Sequence, residues 1–415
     1  MALSWKQGLP QRLLLSAICI GGLATYDWFV IRLYWAQRLA DRSDRISIEK
    51  ATILEPRNAT YHDLLCRSMI FVSREPERAI NECRTASELN PYSSSIWLDL
   101  AQAYFSVGNN RLSDYAIHKA LLVDPTTPDI AWSAANFFLI QGDSSEALKQ
   151  FAIVLREEPT LSTPVLNICW QSFHDINRIQ SILPPNPEVH LGFIKLLLST
   201  GDVEPARQIW SALIQLKTPF DYHQALFYID NLLKTRSVDS ANDAWKQLSS
   251  KSKVLQAYSR SGNLVMDGSF SEEILDAGFD WRYIPRPQIV VTLDSTAFHS
   301  GNRSLMLTYE QSGSDAGIFQ YIAVEPSTRY RLSTWVKSED LDTANGPSLT
   351  LSDAYDNTIY GSTEETIGTT PWHRVETTLE TGPETKLLIL AVLRRPGETR
   401  IQGKLWLDDI KLEPL

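Results

Sequence analysis

The residues best placed to do chemistry are two adjacent carboxylate pairs, Glu364-Glu365 and Asp408-Asp409, and two histidines near turns, His299 and His373. Paired carboxylates suit general acid and base work on a glycosidic bond. Neighbours in a strand, however, point to opposite faces and cannot flank one bond. Neither histidine has a matching acid at motif spacing, and there is no His-Glu-x-x-His, Gly-x-Ser-x-Gly or phosphate-binding glycine loop. The cysteines, Cys19, Cys66, Cys83 and Cys169, lack metal-ligand spacing and imply no disulfide framework. Cys66 and Cys83 fall in predicted helices, as small core residues do. The chain therefore reads as non-enzymatic.

Composition divides the 415 residues into parts too large for one ordinary core. Up to about Lys253 the chain is rich in Ala, Leu and Gln at helical spacing; from Asn263 it is rich in Thr, Ser, Tyr, Gly and short alternating apolar runs. Residues 1–262 hold 26 Lys plus Arg against 26 Asp plus Glu, and residues 263–415 hold 13 against 23, so the net charge of -10 sits on the C-terminal part. An acidic domain without a Lys/Arg stripe repels phosphate backbones, and nucleic acid is not an expected partner.

Between Arg12 and Arg32 lie nineteen residues whose single ionisable acid is Asp27, with Trp5, Trp28, Tyr34 and Trp35 toward the two ends. That length suits one membrane-spanning helix, and a single anchor is the reading adopted. A signal peptide with Leu13 to Ala24 as its apolar region, or a soluble helix capping the next domain, are the alternatives. Lys6 and Arg12 precede the span while Arg32, Arg38, Arg42 and Arg45 follow it, a count that by itself puts the remainder in the cytoplasm.

Internal repeats carry the next segment. Pro56, Pro91, Pro125 and Pro159 are spaced by 35, 34 and 34 residues; Gly108 and Gly142 stand seventeen before their prolines, and Ala51, Ala86 and Ala120 five before. Proline ends a helix, glycine permits a tight turn and alanine lets helices approach closely. The pattern resembles the tetratricopeptide repeat (TPR) family, with Trp97, Leu100, Ala101, Tyr104, Gly108, Ala120 and Pro125 as the best-matching unit. The preceding unit departs from it, with Arg67 and Arg74 where small residues are usual. Pro187 to Leu216 and Tyr222 to Leu248 read as two further helix pairs, with Trp132, Trp170, Trp210 and Trp245 as core between repeats. The resemblance implies a solenoid whose concave face takes a protein segment.

From Asn263 the chain switches to strand-like runs at 289–293, 304–308, 330–336, 387–392 and 404–408, with turn residues between them and no crossover helices. Asn263-Leu264-Val265-Met266-Asp267-Gly268-Ser269-Phe270, Gly278-Phe279-Asp280-Trp281, Ser300-Gly301-Asn302-Arg303-Ser304-Leu305 and the closing Leu405-Trp406-Leu407-Asp408-Asp409-Ile410 occur in the order that resembles the jelly-roll, galactose-binding-like carbohydrate-binding modules. That resemblance implies an antiparallel β-sandwich that binds glycan through exposed aromatics, for which Trp281, Tyr283, Tyr355, Tyr360 and Arg394 are the candidates. Trp335, Trp372 and Trp406, in or beside apolar strands, read as core. It also implies a structural calcium between the first and last strands, with Glu272, Asp408 and Asp409 as candidate ligands. Ser271 stands where that family has an acid.

The expected architecture is multidomain α plus β: an N-terminal anchor helix and linker (1–45), a TPR-type α-solenoid (46–256) and a jelly-roll sandwich (257–415). The expected function is a membrane-tethered adaptor with a protein partner and a polysaccharide, by resemblance in bacterial exopolysaccharide assembly or export, with the soluble part periplasmic at the inner membrane. The alternative is a protein–protein scaffold whose sandwich has no glycan ligand.

Overall fold

A computed structural model describes residues 9–258, 262–311, 313–395 and 400–415; Trp5 and Lys6 lie outside them. Two compact units, Met1–Pro184 and Pro185–Leu415, make up the chain.

The first unit opens with α1 (Leu9–Ala40), long and apolar enough to cross a membrane. Leu13, Ile20, Trp28, Tyr34 and Trp35 are exposed along it, and only its last turns pack: Ala36 and Ala40 join Ala51 and Tyr61 in a small core. Arg32, at the end of the apolar run, pairs with Glu55 at 2.7 Å. The helix thus continues from the apolar stretch into the packing of α2 (Arg45–Leu54) and α3 (Ala59–Ser68). Then come α4 (Pro76–Leu89), α5 (Ser94–Ser106), α6 (Asn110–Val123), α7 (Pro128–Gln141), α8 (Ser144–Glu157), α9 (Ser162–Phe173) and the short α10 (Ile176–Gln180).

The repeat spacing finds its cause here. Glu55, Asn90, Asp124 and Glu158 each close a helix by donating their N–H to the carbonyl of Ala51, Ala86, Ala120 or Val154, and the proline that follows each one blocks continuation. Gly142 caps α7 in the left-handed conformation, at φ 83°. The corresponding position in the α3/α4 pair is Arg74, at φ 55°, reached through a π-turn at Met69–Ser73 that widens the helix end. That irregular pair is cross-linked: Cys66 and Cys83 form a disulfide with Cα atoms 5.3 Å apart. The expectation of two unlinked core cysteines is corrected, because facing positions of one hairpin bring them within bonding distance.

Asp63 on α3 and Asp99 on α5 lie against each other, with Arg67 3.9 Å from Asp99. Burial, and then the neighbouring carboxylate, lift the Asp99 carboxyl from 3.8 to about 7. The folded chain therefore holds a proton that the unfolded chain releases, and this site's stability contribution falls as the pH rises through that window. Replacing Asp99 by Asn is expected to flatten the decline of Tm between roughly pH 4 and pH 7 relative to the wild type. Parallel slopes for the two proteins in pH-resolved calorimetry would refute the assignment.

The second unit begins with helices α11 (Pro187–Ser199), α12 (Val203–Gln215), α13 (Leu226–Lys234), α14 (Val238–Lys251) and α15 (Lys253–Ala257). Trp210 stacks on Tyr228 with centroids 4.5 Å apart, and both are buried. The strands are β1 (Trp281–Tyr283), β2 (Ile289–Asp294), β3 (Ser304–Tyr309), β4 (Asp315–Ala323), β5 (Arg329–Asp342), β6 (Ser348–Asp353), β7 (Ile359–Ser362), β8 (Gly368–Glu380), β9 (Leu387–Leu393) and β10 (Gln402–Pro414). They form two antiparallel five-stranded sheets, ordered β1-β4-β9-β6-β7 and β2-β3-β10-β5-β8. Leu305, Leu307, Leu332, Leu351, Leu390, Leu405 and Leu407 fill the space between them. The fold class is the expected one: a long N-terminal apolar helix, TPR-type helix pairs and a jelly-roll sandwich.

Candidate functional site

The five residues expected to contact glycan do not form one face. Trp281 and Tyr283 lie on β1 and Tyr360 on β7, the opposite edges of the first sheet. Trp281 is 0% exposed, donates its indole N–H to the carbonyl of Asp267 and packs on Phe270, so no sugar can stack on it. Arg394 is 6% exposed, and its guanidinium donates to the carbonyls of Asn345, Gly313 and Arg400 and to the Thr343 hydroxyl. It is a staple joining three loops. Tyr283 and Tyr360 are half-buried against the core, and Tyr360 shares a 2.7 Å hydrogen bond with Thr385. Tyr355 donates its hydroxyl to the carbonyl of Leu233 on α13, beneath Arg236. Trp281 and Arg394 are thereby corrected from ligand groups to structural ones, while Tyr283, Tyr355 and Tyr360 stand half-buried and apart from one another.

The aromatics read as core instead lie on the outer face. Along β10, Leu405 and Leu407 enter the interior, so by alternation Trp406 points to the opposite face of the second sheet. Register places Trp406 beside Lys337 on β5 and Met306 on β3, and Trp335 beside Arg374 on β8. Trp335 and Trp372 are half-buried. His299 lies parallel to Trp335, with centroids 3.8 Å apart, and edge-on to Trp372 at 6.1 Å. Its Nδ1 is 3.0 Å from an Asp409 oxygen. Trp406 donates its indole N–H to Asp294. Lys337, 4.7 Å above its ring, and Lys404 cover it, so it is 4% exposed. The outer face of this sheet therefore carries a cluster of two indoles and an imidazole, Trp335, Trp372 and His299, edged by Arg374 and Asp409, while Trp406 on the same face lies covered by Lys337 and Lys404. The half-buried Trp335 and Trp372 with His299 present apolar ring surface beside hydrogen-bonding groups, the combination that recognises a pyranose ring with its hydroxyls, whereas the covered Trp406 offers a sugar no face.

Neither carboxylate pair sits in regular strand, contrary to expectation: Glu364 and Glu365 lie between β7 and β8, and Asp409, at φ 50°, falls where the pairing of β10 with β5 is interrupted, so that Asp408 and Asp409 both reach His299. Glu364 is exposed while Glu365 is half-buried and paired with Arg395 at 2.6 Å. Asp408 is 0% exposed, and its two oxygens accept from the backbone N–H groups of His299, Ser300 and Asp409. Burial raises its pKa. Among the described residues no three acidic, histidine or cysteine side chains assemble into a metal-binding group. Of the three candidate ligands, Asp408 holds backbone donors on both oxygens, and Asp409 faces the His299 ring.

No curated protein matches the chain. Among solved structures it is similar to a CBM4 (15% identity, 36% of this chain and 99% of that one, TM-score 0.29). It is likewise similar to the CBM22-1 xylan-binding domain of Paenibacillus barcinonensis Xyn10C (16%, 38% and 97%, TM-score 0.26). A thermophilic TPR protein of Thermus thermophilus (16%, 49% and 99%, TM-score 0.28) is also similar. Residues 262–396, which span β1 to β9 of the sandwich, match the family model described as a carbohydrate binding domain.

Proposed function

We propose that this protein is a non-enzymatic, membrane-tethered adaptor: α1 anchors it, the concave face of the repeats takes a protein segment, and the sandwich takes a polysaccharide. The observation that carries the glycan assignment is the outward cluster of Trp335, Trp372 and His299. The Cys66–Cys83 disulfide supports a location in an oxidising compartment, and thus a periplasmic soluble part at the bacterial inner membrane, against the basic-residue count around the span. A tethered polysaccharide binder with a protein-docking solenoid suits exopolysaccharide assembly or export.

The test is a glycan array probed with the full-length chain in detergent, followed by calorimetry on any hit. Trp335→Ala is expected to weaken binding by roughly 30-fold or more while leaving the melting profile close to wild type, since the ring is outside the core. The second reading, a protein–protein scaffold, is favoured by the lysines lying over Trp406. A folded chain that is silent on every glycan would establish that reading and end the first.

A further inference from the structure

At one corner of the sandwich the loop 267–273 meets the turn 297–303. Asp267, Asp280 and Asp408 are buried near it. The loop wraps around Asp267, whose two oxygens accept from the N–H groups of Ser271 and Glu272, and Phe270 takes a left-handed φ of 50°. That conformation directs the carbonyls of Phe270 and Ser271 at Arg303, the residue before β3. Arg303 donates Nε to the Phe270 carbonyl at 2.7 Å, Nη2 to the Ser271 carbonyl at 2.9 Å and Nη1 to Glu273 at 2.7 Å. Its charge also acts on Asp267. The turn comes in close: a Cβ added at Gly301 would sit 3.4 Å from the Ser271 hydroxyl.

A calcium at this corner needs six to eight oxygens, carboxylates among them. Ser271 offers no carboxylate, the oxygens of Asp408 and Asp267 hold backbone N–H groups, and the two loop carbonyls point at a guanidinium. A metal and an arginine cannot share those carbonyls. We propose that the Arg303 guanidinium is the resident cation of this corner, fastening the opening loop to β3, and that the sandwich folds without calcium. Five fixed donors and a permanent charge let arginine bridge several oxygens as a metal would, with no dependence on the ion supply.

The experiment uses the full-length chain in detergent, melted with excess EGTA and with excess calcium, together with elemental analysis for bound calcium. The expected result is no stoichiometric calcium and one melting profile in both conditions. Arg303→Met should lower the transition of the sandwich by roughly 5–10 °C, and Arg303→Lys should recover part of that loss. About one bound calcium per chain with a chelator-induced drop in Tm overturns the proposal, as does an Arg303→Met protein that melts like the wild type. Should the methionine variant fail to fold, the calcium titration of the wild type decides alone.

Discussion

Replacing Trp245 by Ala is expected to cost the C-terminal unit about 3–5 kcal/mol, lowering its Tm by roughly 10 °C and separating the unfolding of α11–α15 from that of the sandwich. Trp245 is 2% exposed, although it belongs to a helix of the repeat segment. Its ring meets Phe279 edge-on at 6.0 Å and covers Gly278, where an added Cβ would lie 2.6 Å from the indole and the backbone has φ 60°. The contact is framed by polar bonds. Asp230 on α13 accepts from the Gly278 N–H and pairs with Arg282, Tyr355 donates to Leu233, and Lys386 pairs with Asp239 at 2.6 Å. Below them, the buried Tyr258 donates its hydroxyl to the Glu273 carbonyl, and its backbone carbonyl accepts from the Asp267 N–H. The last helix pair and the sandwich therefore share one interior, and differential scanning calorimetry should show one transition for this unit in the wild type. A Trp245→Ala protein with an unchanged melt would mean that the two parts are held by the surface ion pairs alone, which are worth little in water.

This coupling also marks where reading the sequence stops. Proline spacing, turn glycines and close-approach alanines located the helix pairs because each acts within about four residues of chain. The five expected strand runs all lie within real strands for the same reason. The more polar β8 and the short β1 and β7 carried too little apolar signal. Side-chain direction was harder. In Leu405-Trp406-Leu407 all three residues are apolar, and only the pairing of β10 with β3 and β5 shows that the leucines, not the tryptophan, face the opposing sheet. Period-2 alternation could have suggested it, since two adjacent residues of a strand cannot both be inside. Trp281 and Arg394 were unreadable in another way: their partners, the carbonyls of Asp267, Asn345 and Gly313, are backbone groups far off in sequence, which leave no compositional trace.

Breaking the Cys66–Cys83 bond should have the second large effect, and it bears on where the protein works. The bond closes a loop with a sequence separation of 17, for which chain entropy gives about 3 kcal/mol of stabilisation. Cys66→Ser with Cys83→Ser is therefore expected to lower the Tm of the N-terminal unit by roughly 6–12 °C. The irregular α3/α4 pair needs this link, having a left-handed Arg74 where glycine serves other pairs. In living cells the same bond reports compartment, since reducing cytoplasm keeps such thiols free and the periplasm oxidises them. Quenching cells in acid and labelling the denatured protein with a maleimide of high mass counts free thiols. Two labels, on Cys19 and Cys169, are expected if the solenoid is periplasmic. Four labels would place it in the cytoplasm, as Arg32, Arg38, Arg42 and Arg45 after the apolar run imply by charge alone. The polysaccharide would then have to be met on that side of the membrane, so this count decides the orientation on which the proposed export role depends.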